Sequence, residues 1–354
     1  MTTPTTPRHD LFYVCATRWV FFWLIGDGRL YFNKPATNID EQLDLFKGRG
    51  LVVEDEEKAK YYLEFIGYFR FKGYAIPFQV DPQTHELQEG TTFQDILNLY
   101  IFDRKLRLHI MDAVERIEVA LKSILSNQLS TKLGCHWYMD QQYFVDEFTE
   151  IPEVEEGDAY EKSQHDKMLD KVKREVSRSK SPFIQKYIGD QLEPLGFPPS
   201  WMMLEVSSFG LISKIYKNLT HEHQKDVAKV LEIDAKVLAS CVQAISVLRN
   251  TCAHHSIVWN AKHTFNPRVP RMSSIFANHE QPDKVYNRLL VITLLVEKIS
   301  GDSEWAVNLI KLIQGHSFVD MSAMGFPSSW NQMLLWRCSG GESASDNCRW
   351  LNHG

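Results

Sequence analysis

An arginine, an asparagine and a histidine fall close together in Leu248-Arg249-Asn250-Thr251-Cys252-Ala253-His254-His255-Ser256-Ile257-Val258-Trp259-Asn260. Arginine offers a fixed cationic fork for phosphate oxygens, and an imidazole of ordinary pKa near ~6.5 takes or gives a proton at neutral pH. Together they suit phosphodiester cleavage without a metal. His254 would remove the proton of a ribose 2′-hydroxyl, Arg249 would stabilise charge on the non-bridging oxygens, and Asn250 would orient His254 or the phosphate. That chemistry needs a 2′-hydroxyl, so the substrate would be RNA and the product a 2′,3′-cyclic phosphate with a 5′-hydroxyl.

A helix has to display these groups. Upstream, Leu238, Cys241, Ile245, Leu248 and Cys252 recur at steps of three and four, the spacing of one buried stripe. At roughly 100° per residue from Leu248, Arg249 falls near ~100°, Asn250 near ~200° and His254 near ~240°, away from that stripe. Asn250 and His254 are then one turn apart and within touching distance. His255 is a second candidate for contact with RNA, although an ideal helix would turn it towards the apolar side.

Other readings compete. Arg104 and His109 repeat the spacing within a charged stretch, where a solvated helix face is the simpler account. Cys252, His254, His255 and His263 invite a zinc site, yet their steps match no familiar ligand spacing. Glu115 and Glu118 are better explained by Arg116, Lys122 and helix solvation than by paired-carboxylate chemistry. No glycine-rich phosphate loop, GxSxG elbow or dinucleotide fingerprint is present, so neither a cofactor nor a metal is expected.

Several further blocks carry a resemblance. Tyr31-Phe32-Asn33-Lys34-Pro35, Lys47-Gly48-Arg49-Gly50-Leu51 and Gly67-Tyr68-Phe69-Arg70-Phe71-Lys72-Gly73-Tyr74 come first, then Leu99 to Arg107, Arg116 to Leu121, Gly134 to Tyr138 and Pro198 to Gly210. With Arg249 to His255 and Trp259-Asn260, in this order, they resemble the Abi-like family of bacterial abortive-infection proteins, the group of AbiD and AbiF, over roughly residues 31 to 336. The resemblance implies the HEPN superfamily: an all-α, multi-helix bundle of HEPN type with an α-helical N-terminal extension. It further implies a metal-independent endoribonuclease of anti-phage defence with Arg249 and His254 as its catalytic pair. HEPN motifs generally meet across two domains, so a homodimer through the motif helix is expected, one histidine acting as base and its mate as acid. An antitoxin protein or a small RNA is a further expected partner. The alternative is a non-catalytic RNA-binding or toxin–antitoxin scaffold, since some members of that superfamily bind RNA without cutting it.

Composition fits a soluble cytoplasmic protein. The 354 residues are 44% hydrophobic and 24% charged, ordinary for a globular chain with a large core. A net charge of −6 does not advertise nucleic-acid binding, but only a local patch meets phosphate. Six cysteines without a CxxC pair (Cys15, Cys135, Cys241, Cys252, Cys338 and Cys348) read as reduced thiols. The run Trp19 to Gly26 is too short for a spanning helix, which needs about 20 apolar residues, so no membrane span is expected. Residues 1–30 read as a poorly ordered or atypical N-terminal extension, 31–90 as an N-terminal helical region, 91–336 as the HEPN-like domain and 337–354 as a tail.

Along the chain, Ile39, Leu43 and Phe46 mark a short helix stopped by Gly48 and Gly50, and Asp55-Glu56-Glu57 opens another that ends at Gly67. The aromatics and cations of 68–74 would either pack under a neighbouring helix or, through Arg70 and Lys72, hold RNA. Thr92-Phe93-Gln94-Asp95 has capping-box form and opens a long helix to about Ser130, with a bend or break expected near Asp103–Arg107. The charged insertion at about 149–181 reads as an acidic loop and then a basic helix, whose Lys171, Arg174 and Arg178 make either an RNA-tracking stripe or a solvated face. Ser200 is a plausible N-cap of one helix running to Leu219 that lies against the motif helix, with Glu205 a supporting residue for the site.

Overall fold

The computed structural model describes residues 22–24, 30–32, 35–152, 161–191, 196–301, 304–330 and 333. Most of the N-terminal extension, the acidic stretch 153–160, the C-terminal tail, and Cys15, Cys338 and Cys348 lie outside the described residues. The fold is all-α, with two small antiparallel ribbons: β1 (Phe22–Leu24) with β2 (Leu30–Phe32), and β3 (Gln79–Asp81) with β4 (Glu86–Leu87). The chain divides into two compact units, residues 1–101 and 102–354.

In the first unit, α1 (Ile39–Lys47) starts on a capping box in which Asn38 and Glu41 each bond the other's backbone N–H. It buries Leu43 and Phe46. α2 (Glu56–Ile66) is capped by Asp55 and ends at Gly67, whose φ of +84° only glycine adopts readily. α3 (Tyr68–Ala75) decides the aromatic question in favour of packing for two of its residues. Phe71 stacks on Phe93 at 4.4 Å and meets the edge of Phe46, and Tyr74 meets Tyr100. Arg70 is exposed, and Lys72 Nζ lies 3.3 Å from His85 Nε2.

The boundary between the units falls inside α4 (Phe93–Leu133), a single helix of 41 residues. The capping box predicted at its start is formed: Thr92 N–H donates to Asp95 and Asp95 N–H donates to Thr92 Oγ1. The expected break at Asp103–Arg107 is not there. Arg104 and Lys105 lie on a solvated face, but Asp103 and Arg107 do not, being 0% and 5% exposed. One turn apart, Asp103 and Arg107 form an ion pair with each other, and such a pair bridges consecutive turns without disturbing the backbone.

The second unit adds α5 (Asp146–Thr149), α6 (Gln164–Arg178), α7 (Pro182–Gln191), α8 (Ser200–Val206), α9 (Phe209–Asn218), α10 (His221–Val230), α11 (Ala235–Ala253), α12 (Tyr286–Ser300) and α13 (Glu304–Gln314). The helix expected from Ser200 to Leu219 is two helices. Ser208 between them is extended, and its N–H and hydroxyl both donate to Glu175 of α6. A carboxylate from outside thus caps α9 and competes with helical continuation. Ser200 is not a cap but the first residue of α8, its hydroxyl 2.6 Å from that of Ser130.

α9, α10 and α12 pack against α11, and all five predicted stripe residues of α11 are buried, none more than 3% exposed. α9 faces α11 at Gly210, where a Cβ would make an ordinary contact 3.7 Å from Ser246 Oγ, so the close packing expected of a glycine there is not what sets the spacing. Among the described residues no helix is long and apolar enough to cross a membrane.

Candidate functional site

α11 is fixed by its buried stripe, and its last turn carries the chemical groups. Asn250 and His254 are exposed and Arg249 is half-buried, as the helical angles require. The guanidinium of Arg249 donates to Asn250 Oδ1 at 3.4 Å. The asparagine therefore steadies the arginine; the contact it makes with His254 runs through the backbone, Asn250 O accepting from His254 N–H at 3.0 Å.

The helix ends at Ala253, earlier than an ideal continuation would suggest. His254 is the C-cap, and His255 has a φ of +57°. His255 N–H donates to Cys252 O and Ser256 N–H to Thr251 O, each at 3.0 Å, the paired bonds of a Schellman closure. This turn overrules the expectation that His255 faces the apolar side, because the chain has already reversed and His255 is exposed.

Beyond the turn the chain is held from α4. Asp103 accepts the N–H of Val258 at 3.2 Å and of Trp259 at 2.8 Å, and Arg107 donates to Ser256 O at 3.3 Å. Lys284 then donates to Asn260 Oδ1, and the buried Arg288 donates to Phe265 O. Asp103 and Arg107 are the residues that sequence reasoning missed. Their one-turn spacing inside a highly charged stretch looked like surface, and only the long-range partner 155 residues away shows otherwise.

The competing constellations do not assemble. His109 stacks on Trp305 at 4.6 Å and bonds its backbone oxygen, and burial lowers its pKa, so it is committed to packing rather than paired with the exposed Arg104. Cys252 is buried, and burial first, then the carboxylate of Asp103, pushes its thiol up to about 12. His263 is also buried and is pushed down to about 4, chiefly by burial and next by Arg288. Cys252, His254, His255 and His263 form no metal-ligand group among the described residues. The group that does meet the distances, Glu222, His223 and Asp226, holds the ammonium of Lys132 at 2.7 Å and 2.9 Å from its carboxylates. Glu118 pairs with Lys122 at 2.9 Å, and Glu205 is exposed and lends its backbone oxygen to Lys122.

The sequence model of the Abi-like protein family matches residues 61–260, more than half of the chain and the whole of the Arg249–His254 segment. The chain belongs to the Abi-like family. Membership suggests a part in abortive infection, the defence of bacteria against phage. No curated protein and no solved structure matches the chain.

The remaining RNA-contact candidates of this Abi-like protein fall in both units: Arg70 and Lys72 on α3, the others in the second unit. On α6, Lys167, Lys171, Arg174 and Arg178 recur at steps of four, three and four along one face, and Lys214 of α9 joins them. Burial first, then Lys171 and Lys167, lowers the Lys214 pKa, which marks a concentration of positive charge. Lys167 pairs with Glu161 at 2.6 Å, Lys171 with Glu175 at 3.7 Å, and Lys214 donates to Gln164 Oε1 at 3.0 Å. Glu175 also caps α9, the helix whose Gly210 lies against Ser246, one turn before Arg249 and Asn250.

Proposed function

We propose that this Abi-like protein is a metal-independent endoribonuclease of abortive infection. The observation that carries the reading is the display of Arg249, Asn250 and His254 on the exposed end of a helix whose other face is sealed in the core. The carbonyl end of a helix carries partial negative charge and is a poor place for a phosphate unless a cation is supplied there. Arg249, steadied by Asn250, supplies it. His254 takes the 2′-hydroxyl proton, the 2′-oxygen attacks the adjacent phosphorus, and Arg249 stabilises the charge that grows on the non-bridging oxygens. The basic stripe Lys167, Lys171, Arg174 and Arg178, with Lys214 beside it, gives the RNA backbone a path in the same unit, and Arg70 and Lys72 are further contacts. A homodimer that brings two copies of α11 together belongs to this reading.

The test is degradation of total cellular RNA by purified protein in EDTA, wild type against Arg249→Ala. Wild-type degradation that the substitution abolishes supports the nuclease. RNA that co-purifies intact, stays uncut and is released by high salt makes the protein an RNA-binding scaffold instead.

A further inference from the structure

The Schellman closure of α11 places a histidine where glycine is at home. With φ at +57°, His255 is one of three described non-glycine residues in left-handed backbone, with His85 and Glu232. A Cβ disfavours that conformation, and glycine is the usual occupant of this position in the motif. His255 stands exposed, immediately after His254.

The conformation is also enforced. Arg107 holds Ser256 O, Asp103 holds the N–H groups of Val258 and Trp259, and those two residues are 0% and 3% exposed. The chain is thus pinned on the far side of His255 and by the last turn of α11 on the near side. Unfavourable backbone persists only where its surroundings over-determine it, and such places concentrate at functional sites.

Resting on the reading of Arg249 and His254 as an RNA-cleaving pair, we propose that His255 is the second substrate-contacting imidazole of the same site and gives its proton to the leaving group. Neutral His254 accepts the 2′-hydroxyl proton as the 2′-oxygen–phosphorus bond forms. Protonated His255 donates to the 5′-oxygen as the phosphorus–5′-oxygen bond breaks. The products are a 2′,3′-cyclic phosphate and a 5′-hydroxyl, and the two rings return to their starting states by exchanging protons with water. Acid and base then come from one copy of the chain, so the second imidazole need not come from a mate.

His255→Gly separates this role from a structural one, because glycine relaxes the backbone while removing the ring. The expected result is a Tm higher by about 2 °C together with an RNA cleavage rate in EDTA lower by about 100-fold. His255→Asn, which keeps a polar side chain but no imidazole, is expected to lose cleavage to a similar extent. Active wild type with His255→Gly cleaving at the same rate overturns the assignment. Restored cleavage on mixing His254→Ala with His255→Gly protein overturns the one-copy arrangement. Wild type that cuts nothing is a different failure, that of the Arg249–His254 reading itself.

Discussion

Replacing Asp103 with alanine removes a carboxylate that is 0% exposed, that pairs with Arg107 and that accepts two backbone N–H groups. The loss leaves a guanidinium 5% exposed without that partner and orphans the N–H groups of Val258 and Trp259. Breaking a buried pair from one side costs ~3–5 kcal/mol, and each buried orphan group ~1–3 kcal/mol, but these penalties overlap. We therefore expect a loss of about 4 kcal/mol, or roughly 8–16 °C in Tm for a unit of this size. The same helix contains its own control. Asp112 and Arg116 have the same four-residue spacing, but their side chains are 48% and 38% exposed, so Asp112→Ala should cost no more than about 0.5 kcal/mol. Asp103→Leu combined with Arg107→Met should recover a good part of the loss, because no charge is then left buried. Urea unfolding of wild type and the three variants at pH 7 gives the comparison, with the double variant at least about 2 kcal/mol more stable than Asp103→Ala. An Asp103→Ala protein within 1 kcal/mol of Asp112→Ala would show that the clamp holds nothing.

Acid should weaken the protein before it affects its carboxylates. His263 ordinarily titrates near ~6.5 when unfolded and is held to about 4 in the fold, so the unfolded chain binds the extra proton between these values. Stability is then lost as pH falls through that window, with a slope approaching ~1.4 kcal/mol per pH unit. His109 and His165, lowered by burial, act in the same direction. A urea midpoint unchanged between pH 7 and pH 5 would contradict this, and His263→Gln should flatten the dependence. For the basic stripe, alanine at Lys171, Arg174 and Arg178 together should weaken RNA binding and reduce the slope of log affinity against log salt by about 2. An unchanged slope would return the stripe to an ordinary solvated face.

Local signals were legible in the sequence wherever short-range physics decides. The capping box at Thr92, the stop at Gly67 and the buried stripe of α11 all follow from spacing and residue type, and so does the exposure of Asn250 and His254. What escaped depends on partners distant in the chain. Glu175 splits the helix expected from Ser200 to Leu219. Asp103 and Arg107 are ordinary helix-surface types until the segment 256–259 folds over them. His255 was misjudged because helical angles were carried past Ala253, where the Schellman turn reverses the chain.

The account rests on in-line attack by a ribose 2′-oxygen with His254 as its base, and the products record that chemistry. The most direct measurement is end-group analysis of RNA cut by the purified protein in EDTA, beside His254→Ala. We expect 2′,3′-cyclic phosphate and 5′-hydroxyl ends that vanish in the variant. Ends carrying a 3′-hydroxyl and a 5′-phosphate, or equal cleavage by His254→Ala, would contradict it.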